Sequence, residues 1–129
     1  MNKESLYKGL FLVAGLYDFI LGAFFFFFYV SIYGYFGITL PNHPEYVQAP
    51  ALFIVILGIM FFYIYRNMYK NVDMVKIGIL SKAAYSGLAF YHHLATSLPV
   101  VFVVFAWFDL AFLILFVTFL RFAKVSGKI

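Results

Sequence analysis

The stretch from Lys76 to Leu98, KIGILSKAAYSGLAFYHHLATSL, decides how the chain is read. It is long enough to cross a bilayer, which takes about 20 mostly apolar residues, yet it carries Lys82, Tyr85, Ser86, His92, His93, Thr96 and Ser97. At about 100° per residue, with Lys82 at zero, Tyr85, Ser86, Ala89, His93, Thr96 and Ser97 fall within about 60° of it and His92 at about 80°. Leu80, Gly87, Leu88, Tyr91, Leu94 and Leu98 take the other side. Lipid cannot hydrogen-bond the polar groups, so the stripe must face protein or a wet cavity. That face is the expected seat of function.

Working outward, the rest of the chain is more apolar still. Residues are 66% hydrophobic, 24% aromatic and only 11% charged, whereas about a quarter are charged in soluble domains. An integral membrane protein follows, all-α and polytopic. The 129 residues leave room for about four spans of ~20 residues, hence one membrane domain with no soluble domain attached. There are no cysteines, which removes disulfides, thiol catalysis and thiolate-bound metals.

The expected fold is a four-transmembrane-helix bundle, with spans at about residues 6–30, 50–66, 76–98 and 99–120. A signal peptide is excluded for the first by length, since its apolar run ends in Phe24–Phe28 and Tyr29 and not in small residues. Asp18 lies near the middle of that span, on a face with Phe11, Ala14, Gly15, Gly22, Phe25 and Tyr29, where small residues admit a second helix. Ser31–Ala49 is read as an interfacial connection, because Pro41 and Pro44 bracket Asn42 and His43 and disfavour continuous helix. Pro50 suits the first turn of span two, and Tyr63, Tyr65 and Tyr69 form an aromatic belt where it leaves the bilayer. Leu98–Pro99 turns the chain back, joining spans three and four as a tight hairpin.

Orientation follows from the basic residues. Lys3, Lys8, Arg66, Lys70, Lys76, Arg121, Lys124 and Lys128 all fall on one side of the four-span arrangement and none on the other. Cytoplasmic flanks collect Lys and Arg, so both termini are expected in the cytoplasm. The net charge of +4 reflects topology and contact with anionic lipid, and no nucleic acid is implied.

The candidate chemistry is carried by ionisable groups inside spans. A charge at the bilayer centre costs about 2.5–3.5 kcal/mol on insertion scales, so Asp18 and Asp109 must be neutral, paired or wet. They serve either as hydrogen-bonding links between helices or in binding and moving a proton or cation. Counting outward from Leu98–Pro99 brings His93 within reach of Asp109, and that pair is expected. For Lys82 the favoured fate is to snorkel toward the cytoplasm, with a bridge to Asp18 or Asp109 as the alternative; His92 is read as a hydrogen-bonding core histidine. The set of candidate ligand- or proton-binding residues is therefore Asp18, Lys82, Tyr85, Ser86, His92, His93 and Asp109. A metal site would have to use His43, Glu45, His92 and His93, and adjacent histidines diverge by about 100° on a helix, whereas two ligands on one helix are usually spaced i, i+3 or i+4. No cofactor is specified by these residues.

Four features together resemble small uncharacterised bacterial four-helix membrane proteins, loosely DoxX-like. They are Gly15, Asp18 and Gly22; Phe36-Gly37 with Pro41, Pro44 and Tyr46; the basic turn at Arg66 followed by Gly78-Ile79-Leu80-Ser81-Lys82; and the late Asp109. The resemblance implies a bacterial inner-membrane protein and carries no established reaction. Three functional classes fit: a bundle that binds a small ligand, proton or cation, as a minimal transporter or channel; a non-catalytic subunit or assembly factor, in a homo-oligomer or a larger membrane complex; and a membrane metalloenzyme.

Overall fold

A computed structural model describes residues 2–129. Among the described residues there are four α-helices and no strand: α1 Lys3–Phe36, α2 Glu45–Arg66, α3 Val72–Ala95 and α4 Val100–Val125. Three of them, α1, α2 and α4, are long and apolar enough to cross a membrane. The striped helix α3 is not in that group, because Asp73, Lys76, Lys82 and its histidines dilute the apolar residues. Helices α1 and α2 form one compact unit and α3 and α4 another.

In the first unit, Asn2 caps α1 by accepting a hydrogen bond from the Ser5 amide at 2.8 Å, and Glu4 adds a negative charge in the first turn, where the helix dipole favours it. The helix has 34 residues, or about 50 Å at ~1.5 Å per residue. It therefore extends past the expected end at residue 30. The fall in hydrophobicity after Val30 is not a stop signal; Gly37 is. Its φ of 68° lets the Gly37 amide reach the Gly34 carbonyl and the Ile38 amide reach Tyr33, closing the last turn. Phe28, with φ −122° and ψ 21°, interrupts the helical geometry within the phenylalanine run. Helix α2 likewise begins earlier than expected. The Pro44 carbonyl accepts from Val47 and Gln48, so a turn forms ahead of Pro50, which lies inside the helix.

The contact between α1 and α2 is steric. Phe11, Ala14, Gly15, Asp18 and Gly22 form the buried stripe of α1, and Val47, Ala51, Gly58, Phe61 and Ile64 that of α2. A Cβ on Gly22 would sit 2.5 Å from the Ala51 carbonyl oxygen, and one on Gly58 would sit 2.6 Å from the Phe19 amide nitrogen and 2.8 Å from the Gly15 carbonyl oxygen. Hydrogen there lets the backbones touch, which is how helices gain dispersion contact where no hydrophobic force drives them together. Phe24 and Phe27 point away from the stripe and are exposed, while Phe26 is half-buried.

In the second unit, Val75, Gly78, Lys82, Ser86 and Ala89 face Val101, Val103, Ala106, Asp109, Phe116 and Phe119. Phe90 meets Trp107 edge-on, with centroids 5.0 Å apart. Helix α3 ends at Ala95, short of the expected residue 98, where Thr96 turns extended and donates through both its amide and its hydroxyl to the His92 carbonyl. Thr96 and Ser97 thus leave the polar stripe. Helix α4 starts after Pro99 and runs to Val125, five residues beyond expectation, until Gly127 (φ 71°) closes it.

Gly58→Ala should destabilise the protein by about 1–3 kcal/mol, the usual cost of overpacking, because the new methyl meets backbone. Gly9→Ala meets nothing within 4 Å and should be neutral or stabilising by up to ~1 kcal/mol. Thermal unfolding of both variants in detergent checks the contrast; equal effects would contradict the seam.

Candidate functional site

The polar stripe of α3 resolves into a small cluster on α4. Lys82 Nζ donates to Asp109 Oδ1 at 3.1 Å, and the two side chains are only 3% and 12% exposed. The ammonium also lies 5.2 Å from the centre of the Phe112 ring. Phe112 follows Asp109 by three residues, so carboxylate and ring share one face of α4. Lys82 thus has a charge partner and an aromatic face, and both lower the cost of holding a cation away from water. Phe116 stacks on Phe112 at 5.9 Å and extends the aromatic floor.

The neighbouring polar groups are satisfied in two ways. Ser81 donates to the Gly78 carbonyl and Ser86 to the Lys82 carbonyl, at 2.8 and 2.7 Å, so their hydroxyls are bonded within α3 itself. Tyr85 instead reaches across, its hydroxyl donating to the Phe102 carbonyl of α4 at 3.0 Å. Lys82 and Tyr85 therefore both bond to α4.

Two expectations are corrected. Lys82 does not snorkel; its flexible four-carbon stem turns inward to the carboxylate. His93 does not meet Asp109 and is exposed. With α3 ending at Ala95 and α4 starting at Val100, His93 lies near the very end of its helix while Asp109 lies well inside the other. The depth difference is about 10 Å at ~1.5 Å per residue, more than two leaning side chains close. Lys82 is offset from Asp109 by about 6 Å in the opposite sense, which its stem covers. His92 is half-buried against the Tyr91 ring at 5.2 Å.

Asp18 is buried on the α1 stripe between Gly15 and Gly22. His43 and Glu45 form an exposed pair at 3.1 Å ahead of α2, with the His43 ring against Tyr46. Among the described residues no three His, Cys, Asp or Glu side chains are grouped to hold a metal ion. Phe102 and Phe112 were not anticipated from sequence, though Phe112 could have been found by its three-residue spacing from Asp109.

Comparison with protein-family models, with curated proteins and with solved structures finds no match. The chemistry of the site rests on its own geometry: the Lys82 ammonium donates to the Asp109 carboxylate, and both side chains are shielded from solvent.

Removing one member of a buried ion pair takes a charge partner from the other. Asp109→Asn should therefore lower stability by about 3–5 kcal/mol, whereas His93→Ala, at an exposed position, should stay within about 0.5 kcal/mol. Unfolding of both variants, followed by circular dichroism in detergent, tests the assignment; the reverse order would restore His93 as the partner.

Proposed function

We propose that this protein is a small multi-pass membrane protein whose Lys82–Asp109 pair binds and passes a proton or a small ion. The observation that carries the reading is the pair itself, 3.1 Å apart and almost wholly buried. Intramembrane ionisable residues are functional sites by default, because apolar residues would fill the same space more cheaply. Closed, the pair is neutral as a whole. Protonating Asp109, or deprotonating Lys82, leaves a net charge that favours opening the helices to water or to a counter-ion. Tyr85, bonded across to α4, stands one turn from Lys82 as the adjacent hydroxyl.

The proposal includes four spans, with α3 and α4 as a transmembrane hairpin, an interfacial connection after α1, and both termini in the cytoplasm. Three helices that can cross a membrane and the one-sided basic residues support it. Lys8 over Tyr65, Arg66 over Tyr63 and Lys128 over Tyr69 fit an interfacial aromatic belt beside anionic lipid. The DoxX-like resemblance is consistent with a bacterial inner membrane.

A second reading, as a subunit or assembly factor, has one observation in its favour. Ala83 and Gly87 are exposed on α3, and nothing lies within 4 Å of a Cβ on Gly87, an open small-residue edge of the type that receives another helix.

In proteoliposomes enclosing a pH-sensitive dye, the wild-type chain should dissipate an imposed proton or cation gradient, and Asp109→Asn should reduce that flux at least tenfold. Equal flux from the two would refute the transport reading. Co-purification with another membrane protein at fixed stoichiometry, abolished by Gly87→Leu, would favour the subunit reading instead.

A further inference from the structure

The loop ahead of α3 and the chain after α4 meet at one end of the second unit, the end away from the 96–99 turn. Asn67 shapes the loop: its side-chain oxygen accepts from the Lys70 amide and its carbonyl accepts from the Asn71 side chain. Met68 is buried, and Tyr69 stacks on Phe119 of α4 at 6.1 Å. After α4, the positive φ of Gly127 turns the chain so that the Lys128 amide donates to the Ala123 carbonyl. The Lys128 ammonium then lies 5.8 Å from the centre of the Tyr69 ring. Loop and tail are thereby one surface. It carries Lys70, Lys76, Arg121, Lys124 and Lys128, all exposed, against a single acidic residue, Asp73, which lies 3.9 Å from Lys76.

We propose that this end of the α3–α4 unit is a docking surface for acidic phospholipid headgroups. Charge complementarity is the first reason, since each Lys or Arg near an anionic bilayer strengthens attraction by about fivefold. Position is the second. Arg121 follows directly on the apolar run of α4 that ends at Leu120, the level at which acyl chains give way to headgroup phosphates. The third reason separates a lipid from a free anion. Val125 and Ile129, next to Lys124 and Lys128, are 89% and 47% exposed, and apolar side chains set among cations are covered by the acyl boundary of a bilayer. A soluble anion would leave them in water. Tyr69 holds the Lys128 ammonium over its ring face, so the tail is already placed and less order is lost on binding. The preference therefore belongs to these residues and not to net charge as such, to which Lys3 and Lys8 of α1 also contribute.

Native mass spectrometry of the whole chain, released from neutral-detergent micelles doped with equal amounts of phosphatidylglycerol and phosphatidylcholine, reads the preference directly. The wild-type chain should retain phosphatidylglycerol over phosphatidylcholine by about tenfold or more. Arg121→Gln/Lys124→Gln/Lys128→Gln should bring the two lipids to parity, and Lys3→Gln/Lys8→Gln should leave the ratio unchanged. Lys128→Gln alone should lower it by about fivefold, which keeps the test in place should the triple variant lose helix content by circular dichroism. Val125→Ser/Ile129→Ser, with every charge intact, should lower phosphatidylglycerol retention by about threefold or more. Equal retention of the two lipids by the wild-type chain would overturn the proposal. A loss in Lys3→Gln/Lys8→Gln as large as in the triple variant would also overturn it, by making the attraction one of net charge alone. Displacement of phosphatidylglycerol by inorganic phosphate at equal phosphate concentration, with no effect of Val125→Ser/Ile129→Ser, would mark a free-anion site and overturn the lipid assignment. None of these outcomes depends on ion flux through the Lys82–Asp109 pair.

Discussion

An ammonium group held out of water needs a partner, and the contact of Lys82 with Asp109 at 3.1 Å organises the second half of the chain. The pair decides which stripe of α3 turns inward, since Val75, Gly78, Ser86 and Ala89 are buried with Lys82 on the same face. It decides the matching face of α4, where Ala106, Asp109 and Phe116 follow at helical spacing. Phe112 and Tyr85 complete the enclosure, one by its ring face and the other by a hydrogen bond across to Phe102. Desolvating two charges often costs more than hydrophobic residues of the same volume, so stability alone is a weak reason for keeping such a pair. What the pair supplies is the match of one helix to another.

The first half of the chain is held by different physics. Gly15, Gly22 and Gly58 have no side chain, and a single methyl would collide with the facing backbone at Gly22 and Gly58 and with the Phe62 ring at Gly15. Lipid tails are as apolar as leucine, so packing fit and not exclusion from water holds α1 to α2. Phe19 and Phe62, with ring centroids 6.2 Å apart, cover the edge of that seam. One unit is thus specified by shape and the other by charge.

The α1 seam was legible in the sequence because its signal is periodic: Phe11, Ala14, Gly15, Asp18 and Gly22 share a face by angle alone and are buried, while Phe25 and Tyr29, expected on the same face, are half-buried. The polar stripe of α3 was legible for the same reason. Helix ends were less so, because they depend on local bonding and not on polarity. Gly37 and Gly127 stop α1 and α4 through positive φ, each several residues past the apolar run, and Thr96 stops α3 before the Pro99 signal. That early stop removed His93 from the reach of Asp109. The partner of Lys82 could not be chosen from sequence, since a four-carbon stem reaches the interface or a neighbouring carboxylate equally well, and only the packing of α3 on α4 decides between them.

The most direct measurement of the central claim is a solid-state NMR distance in lipid bilayers, with 15N at Lys82 and 13C at the Asp109 carboxyl. The account predicts strong dipolar coupling between the two, as a nitrogen–oxygen separation of 3.1 Å requires, and no coupling of Lys82 to lipid 31P. Coupling to lipid phosphorus without coupling to Asp109 would place the ammonium at the interface and contradict it.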